Sequence, residues 1–441
     1  MHQSDLSKLS LFPLTKDIDN HGHLHIGGCD CVELVKKFGT PLYVLDEATL
    51  RSKCQEFKTE FTKRYSNTLI IYASKAFLNR ALAIIFKEEG LGLDVVSGGE
   101  LSVAQSVDFP PEKVYFHGNN KTADELKLAL DWGIGRIVVD NFDELELLNS
   151  LAGEMGVRQT ILLRLTPGVD PHTHRHTTTG ILDSKFGFPL ATGQAETAVT
   201  KAVAASNINL IGLHFHLGSP IPDTSPYQIA ISLVLNFAKD METKHGFHLT
   251  ELSPGGGFAV RYTADYRTPS IADYAEAITA KISSLANELG LTFPKLIIEP
   301  GRAIVAQAGV ALYAVGSIKE IPGVRKYICV DGGMGDNIRP SLYEARYDVL
   351  VAIKASDGES TKVTIAGKYC ESGDILARDV SLASVSAGDI IAIPVSGAYS
   401  IPMSSNYNMV TRPAIVMVKD GKARLIRKRE SYKDLMRLDS T

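Results

Sequence analysis

Between residues 68 and 302 one pattern recurs: a short apolar run rich in β-branched residues, then a segment whose apolar positions fall at i, i+3 or i+4. The runs are LIIYAS (69–74), LDVVS (93–97), KVYFHG (113–118), RIVVDN (136–141), TILLRL (160–165), LIGLHFHL (210–217), LTELSPGG (249–256) and KLIIEPG (295–301). Segments such as TADELKLALDWG and YAEAITAKISSLANELG lie between them and end at Gly as a helix stop. Strands that alternate with helices pair in parallel, and eight such units in roughly 235 residues fit a closed (β/α)8 barrel. An open doubly wound sheet is the alternative, but it usually has fewer strands.

The layout of polar residues favours the barrel. Lys75 follows the first run, Ser97 the second, His117 to Asn119 the third and Asp140 the fourth. Arg164 lies near the end of the fifth, His216 and Ser219 end the sixth, Gly255 to Gly257 follow the seventh, and Glu299 to Arg302 the eighth. A barrel enzyme carries its chemistry at that face. The plain alternative for any one of them is that loops are polar anyway.

Beyond Arg302 the texture changes to short β-rich segments punctuated by Gly, Asp and Ser, among them KYICVDGG, TKVTIAG and DIIAIPVSGAYS. The first 46 residues also look strand-like. The expected fold is α/β: a (β/α)8 TIM barrel over 47–310, plus an all-β domain (sandwich or Greek-key barrel) formed by 311–441 together with strands from 1–46. A hydrophobic fraction of 44% allows both cores to be buried. With 46 basic and 50 acidic residues the formal charge is −4, and no basic block marks a nucleic-acid or anionic-membrane binder. No leader-like start or spanning apolar stretch is visible, and five scattered cysteines do not suggest a disulfide framework, so a cytoplasmic protein is expected.

SPGGGF (253–258) and EPGR (299–302) sit where barrels often bind phosphate on backbone N–H groups that glycine lets approach closely. Ser219 lies one strand earlier. A lone lysine is usually a solvated surface charge, but Lys75 opposite a phosphate site suits pyridoxal 5′-phosphate, which needs an anchor for its phosphate and an amine for its aldehyde. Glu299 then has a use as the carboxylate at the pyridine nitrogen. His216 could lie against the ring, with His214 expected to point to the other strand face; the plain reading of His216 is a hydrogen-bonded core histidine.

The strings YASKAF, LDVVSGGEL, FHGNNKT, TPGVD, TTTG, SKFGF, HFHLGS, GGGF, EPGR, VDGGM, IRPSLY, CESGD, GAY, MSSNYN and RPA, in this order, resemble the pyridoxal-phosphate-dependent decarboxylases of the alanine-racemase-like barrel fold (fold type III). The resemblance covers roughly residues 25 to 435. It implies that Lys75 binds the cofactor covalently, that His216 stacks on its ring and that Glu299 pairs with the pyridinium. Ser219, Gly255, Gly256, Gly257 and the Pro300-Gly301-Arg302 backbone would hold the phosphate, helped by Tyr399. Arg302, Arg339 and Tyr343 would bind substrate carboxylate, with Tyr399 beside them. Cys370, as proton donor, and Glu371, at the substrate's distal end, would be lent by the partner subunit of a homodimer. The implied reaction is decarboxylation of meso-2,6-diaminopimelate at its D-centre to L-lysine and CO2, the last step of lysine biosynthesis. Racemases of this fold place an arginine where this chain has Glu299. The alternatives are a decarboxylase of ornithine, lysine or arginine on the same fold, and a non-catalytic cofactor-binding homologue.

Three positions depart from the family pattern: Pro220 where glutamine is common, Gly335 where asparagine is common, and Pro402 before MSSNYN. The stretch THRHTTTG is also unusually rich in histidine, and the 172–180 loop borders the expected substrate opening. His21, His23 and His25 precede Cys29 and Cys31, and His172, His174 and His176 alternate likewise, but alternation alone places such histidines on one face, and no metal is expected. Asp336 and Asp374 are expected to support loops. The plain reading of Cys370 is a buried thiol.

Overall fold

The computed structural model describes residues 7–170, 178–355 and 360–440. They form two compact units: one of residues 54–259 and 268–301, the other of the chain up to 53, 260–267 and 302 onward. The expected limits were 46/47 and 310/311. The helix Arg302–Val305 and the strand that starts at Gly309 belong to the second unit, where Gly397 N–H donates to Ala306 O and Gly309 pairs with Leu45.

In the first unit all eight expected strands form: Thr68–Ala73, Gly92–Val95, Val114–Phe116, Arg136–Val139, Gln159–Thr166, Ile208–Phe215, Glu251–Ser253 and Lys295–Ile298. Each pairs in parallel with its sequence neighbour, and the eighth pairs with the first, so the sheet closes. Ile71, Tyr115, Val138, Leu162 and Ile297 fill a buried cluster, which makes the barrel a packed core rather than a pore. Glycine makes room for it at Gly92, where a Cβ would lie 2.6 Å from Ile71 and 2.4 Å from the Lys113 carbonyl.

The ends of this barrel differ. At the strand starts, Arg136 grips both oxygens of Glu251 at 2.8 and 3.1 Å, and Tyr115 donates to the same carboxylate at 3.1 Å. At the opposite end the loops turn into helices, and Ser97, one of the polar residues noted there, is a cap. Ser97 accepts from the N–H group of Glu100, as Asn141 does from that of Glu144, satisfying donors that a helix start leaves open. For Ser97 the plain reading holds.

In the second unit the strand Leu42–Asp46 lies antiparallel to Gly309–Ile321 and parallel to Ala414–Lys419, so a strand from the chain's start sits in the C-terminal sheet. The path runs from Ile375–Ala383 through Ser360–Ala366, Arg325–Val330, Gly309–Ile321, Leu42–Asp46 and Ala414–Lys419 to Lys422–Arg427. Leu42, Val44, Val310, Leu312, Val416 and Val418 form its core together with Leu24 and Ile26. Cys29 and Cys31 are buried in the same core, while His23 and His25 pair with Asp30 and Asp19 at 2.9 and 3.3 Å. Asp336 accepts from Tyr43, Tyr313 and Gly333 N–H, and Asp374 from the N–H groups of Met334 and Tyr369, so both support loops as expected. Gly335 is explained by Tyr369, whose hydroxyl would lie 2.1 Å from a Cβ there. The His172, His174 and His176 run and most of the 172–180 loop fall outside the described residues. Among the described residues no helix is long and apolar enough to cross a membrane.

Candidate active site

Every strand of the barrel contributes a polar group at its C-terminal end. Lys75 sits in the single helical turn Ser74–Ala76 directly after the first strand, and its Nζ lies 3.1 Å from Asp94 Oδ2 on the second. Asp94 is 1% exposed, and a carboxylate that deep requires a cationic or donor partner. From the third strand comes His117, from the fourth Asp140, and from the fifth Arg164, whose Nε is 3.7 Å from Asp140 and whose guanidinium lies over the Phe186 ring.

Glu299, after the eighth strand, is buried among donors. Ser253 Oγ donates to Oε1 at 2.7 Å and His214 Nε2 lies 3.2 Å from Oε2. Burial alone would raise this carboxyl, but the His214 imidazole, within hydrogen-bond reach, leads the groups that hold it down to about 2. Glu299 is therefore ionised at neutral pH. His214 does not point to the other face of its strand: it meets Glu299 inside the barrel, as a residue two before His216 would in a regular strand. Burial, with Lys75, Arg164 and His214 adding to it, keeps His216 neutral. Its ring is fixed by Gly256 N–H, which donates to Nδ1 at 3.2 Å, and its carbonyl accepts from Thr179 Oγ1 at 2.7 Å.

The glycine run does more than offer N–H groups. Gly255 N–H already donates to Ser253 Oγ, and Gly256 N–H to His216. A Cβ at Gly256 would stand 2.1 Å from the Glu299 carbonyl oxygen, and one at Gly257 2.5 Å from the Gly218 carbonyl oxygen. Gly301 is close but less tight, with a Cβ there 3.0 Å from Ala73 and Ala76. These glycines draw the loops after strands six, seven, eight and one into contact. Ser219 stands half-buried beside Gly218 on the sixth-strand loop.

The remaining candidates belong to the second unit. The Arg302 guanidinium lies 4.6 Å from the Tyr399 ring centre and donates to the Tyr262 hydroxyl at 2.8 Å. Arg339 lies 4.2 Å from the Tyr262 ring centre and donates to the Tyr347 hydroxyl. Burial would raise the Tyr262 phenol, but the two arginines bring it below its ordinary value. Tyr399 has φ +58°, a left-handed conformation uncommon outside glycine and asparagine. Tyr343 ends the short helix Arg339–Tyr343. Cys370 is exposed rather than buried, its N–H donating to Asn408, and the neighbouring Glu371 carboxylate accepts from Tyr407 at 2.7 Å.

Asp94, His214 and Ser253 lie inside quoted motifs that gave them no role in the site, and Tyr262 and Tyr347 lie in none. An aspartate in the apolar run LDVV is the one signal that could have been used, since a charge inside a parallel strand must have a partner.

The polar cluster suits pyridoxal 5′-phosphate. Asp94 Oδ1 and His117 Nε2 are buried with no hydrogen-bond partner, and the glycine cradle excludes any side chain. A family model described as the pyridoxal-binding domain of pyridoxal-dependent decarboxylases matches residues 47–306. The diaminopimelate decarboxylase of Bacillus subtilis is 46% identical over 421 residues, 96% of each chain, and that of Synechocystis is 44% identical over 440 residues, 98% of this chain and 93% of the other. Among solved structures, diaminopimelate decarboxylase from M. jannaschii superposes with a TM-score of 0.92 at 36% identity over 99% of both chains. The Helicobacter pylori enzyme complexed with L-lysine gives 0.84 at 32% identity, over 92% of this chain and 98% of that one. With a family model over more than half of its length and such relatives over nearly all of it, the chain belongs to the pyridoxal-dependent decarboxylases, in their diaminopimelate decarboxylase branch.

Proposed function

We propose that the protein removes CO2 from the D-centre of meso-2,6-diaminopimelate to give L-lysine, using pyridoxal 5′-phosphate. The observation that carries the chemistry is the cluster in which buried Asp94, His117, His214 and Glu299 meet the exposed Lys75 at the strand ends of one barrel; membership of the family carries the substrate. The cofactor supplies an electron sink for the charge left when CO2 departs.

Lys75 would hold the cofactor's aldehyde carbon, Glu299 its ring nitrogen and His216 one ring face. Ser219, Gly255 to Gly257, the Pro300-Gly301-Arg302 backbone and Tyr399 would hold the phosphate. Asp94 orients the Lys75 amine. Glu299, ionised by its donors, favours a proton on the atom it faces. Arg302, Arg339, Tyr343 and Tyr399 would bind the substrate, and arginine is well made for this because its fork matches a carboxylate. Cys370 Sγ would deliver the proton to the carbon that lost CO2, and Glu371 would contact the substrate's distal end.

We also propose that the working form is a cytoplasmic homodimer in which the loop bearing Cys370 and Glu371 serves the partner's site. The exposure of Cys370, Glu371, Tyr407 and Met409 within one chain supports this. The deciding experiment offers the purified holoenzyme meso-diaminopimelate, L-ornithine, L-lysine and L-arginine and measures CO2 release. Turnover of diaminopimelate well above the others is expected. Equal or faster turnover of an amino acid without the distal carboxylate would refute the assignment.

A further inference from the structure

His117 takes part in no motif-based assignment, yet it stands between the two carboxylates on which the site depends. Its Nε2 lies 3.6 Å from Glu299 Oε1 and 3.8 Å from Asp94 Oδ1. Neither distance is a hydrogen bond. The ring is 5% exposed and meets His214 edge-on, with ring centres 4.9 Å apart. Asp94, Glu299, His214, Lys75 and Arg164 are the charged and titratable groups around it. Burial leads the causes that keep its imidazole neutral.

A fold usually pairs its buried polar atoms, because leaving one unpaired is costly, yet His117 Nε2 is buried with no hydrogen-bond partner. Here two buried carboxylates approach the same ring nitrogen. One N–H dipole between them eases their repulsion without supplying a full charge that would cancel either one. Glu299 already has Ser253 and His214, and Asp94 has Lys75, while His117 Nε2 stands within 4 Å of both carboxylates.

We propose that His117 is a positioning residue: through Nε2–H it links the carboxylate that meets the cofactor's ring nitrogen to the carboxylate that holds Lys75, setting the two relative to each other. This rests on the reading that Glu299 meets the ring nitrogen.

The test uses holoenzyme carrying His117→Leu, which lacks the donor, His117→Gln, which retains one, and Glu299→Gln. Three quantities are measured: kcat and KM separately, the dissociation constant for pyridoxal 5′-phosphate, and the visible absorbance of the bound cofactor against pH. In His117→Leu the midpoint of the absorbance change should move by about one unit and kcat should fall about tenfold, with KM within twofold. His117→Gln should recover most of both losses. Should His117→Leu fail to fold, His117→Asn, too short to reach both carboxylates, takes its place with the same expectation.

An unmoved midpoint with near-normal kcat in the donor-free variant, beside a moved midpoint in Glu299→Gln, would overturn the role of His117 alone. An unmoved midpoint in Glu299→Gln would overturn the reading of Glu299 and the inference with it. Equal damage in the Leu and Gln variants would reduce His117 to a space-filling residue. His117, His214 and Glu299 offer ligand atoms within 4.8 Å of one another, so metal analysis completes the test. One equivalent of divalent metal that is lost in His117→Leu would overturn the proposal.

Discussion

Arg339 rests its guanidinium 4.2 Å from the centre of the Tyr262 ring, and the same phenol accepts a hydrogen bond from Arg302. Two cations thus share one aromatic side chain. Their mutual repulsion is tolerated because the ring face attracts one and the hydroxyl accepts from the other.

If these arginines bind substrate carboxylate, Arg339→Ala should raise KM for diaminopimelate by about tenfold or more, the scale of a lost charge-assisted hydrogen bond. Tyr262→Phe keeps the ring and loses only the Arg302 bond, so its effect on KM should be smaller. Steady-state kinetics separate the two variants, and an unchanged KM in Arg339→Ala would remove that arginine from substrate binding.

Mixing inactive Lys75→Ala and inactive Cys370→Ala subunits should restore up to about a quarter of wild-type activity, because a random mixture gives one intact composite site per heterodimer. Exchange is verified by mass or by tag, and no recovery after exchange would place Lys75 and Cys370 in the service of the same chain.

Asp336 governs a pH dependence of stability. Burial raises its carboxyl to about 6, against the opposing hydrogen bonds from Tyr313, Gly333 and Tyr43. A carboxyl raised on folding stabilises the fold fully below its unfolded value near 3.8 and loses that contribution as pH rises through about 6. The stability of the wild type relative to Asp336→Asn should therefore fall between pH 4 and pH 7, by about 3 kcal/mol for a shift of this size. Melting curves of both proteins across that range measure it; a constant difference would contradict the assignment.

Gly256→Ala should destabilise the barrel by about 2 kcal/mol and weaken cofactor retention, because its methyl group would press on a backbone oxygen that cannot step aside. Gly316→Ala, whose added carbon would meet nothing nearer than the Cys329 carbonyl oxygen at 3.9 Å, is the control and should change neither. Equal behaviour of the two would mean that the loops yield more than the geometry allows.

The barrel was legible in the sequence because a parallel strand buried on both faces has to be apolar throughout, and LIIYAS, RIVVDN and TILLRL announce this locally. Lys75 and Glu299 were legible because each ends such a run. What remained hidden is what depends on neighbours across the sheet. The Lys75 partner Asp94 lies one strand away, and Tyr262 is 40 residues from Arg302, in a loop with no periodicity of its own. His214 was misplaced for a different reason: the alternation of a strand was applied one residue out of step. Segment 260–267 shows a further limit, since its membership of the second unit follows from contacts such as the Ala264 N–H bond to Asp348, which no local pattern encodes.

The triad of Arg136, Glu251 and Tyr115 has a consequence for the opposite end of the barrel. A carboxylate gripped on both oxygens fastens the strands at the end away from the chemistry, with its hydrogen-bonding needs met inside the triad. The opposite rim can therefore keep underused donors and acceptors such as those of Asp94 and His117. One end of the barrel is fastened by charge, and the polar side chains at the other are left to the chemistry.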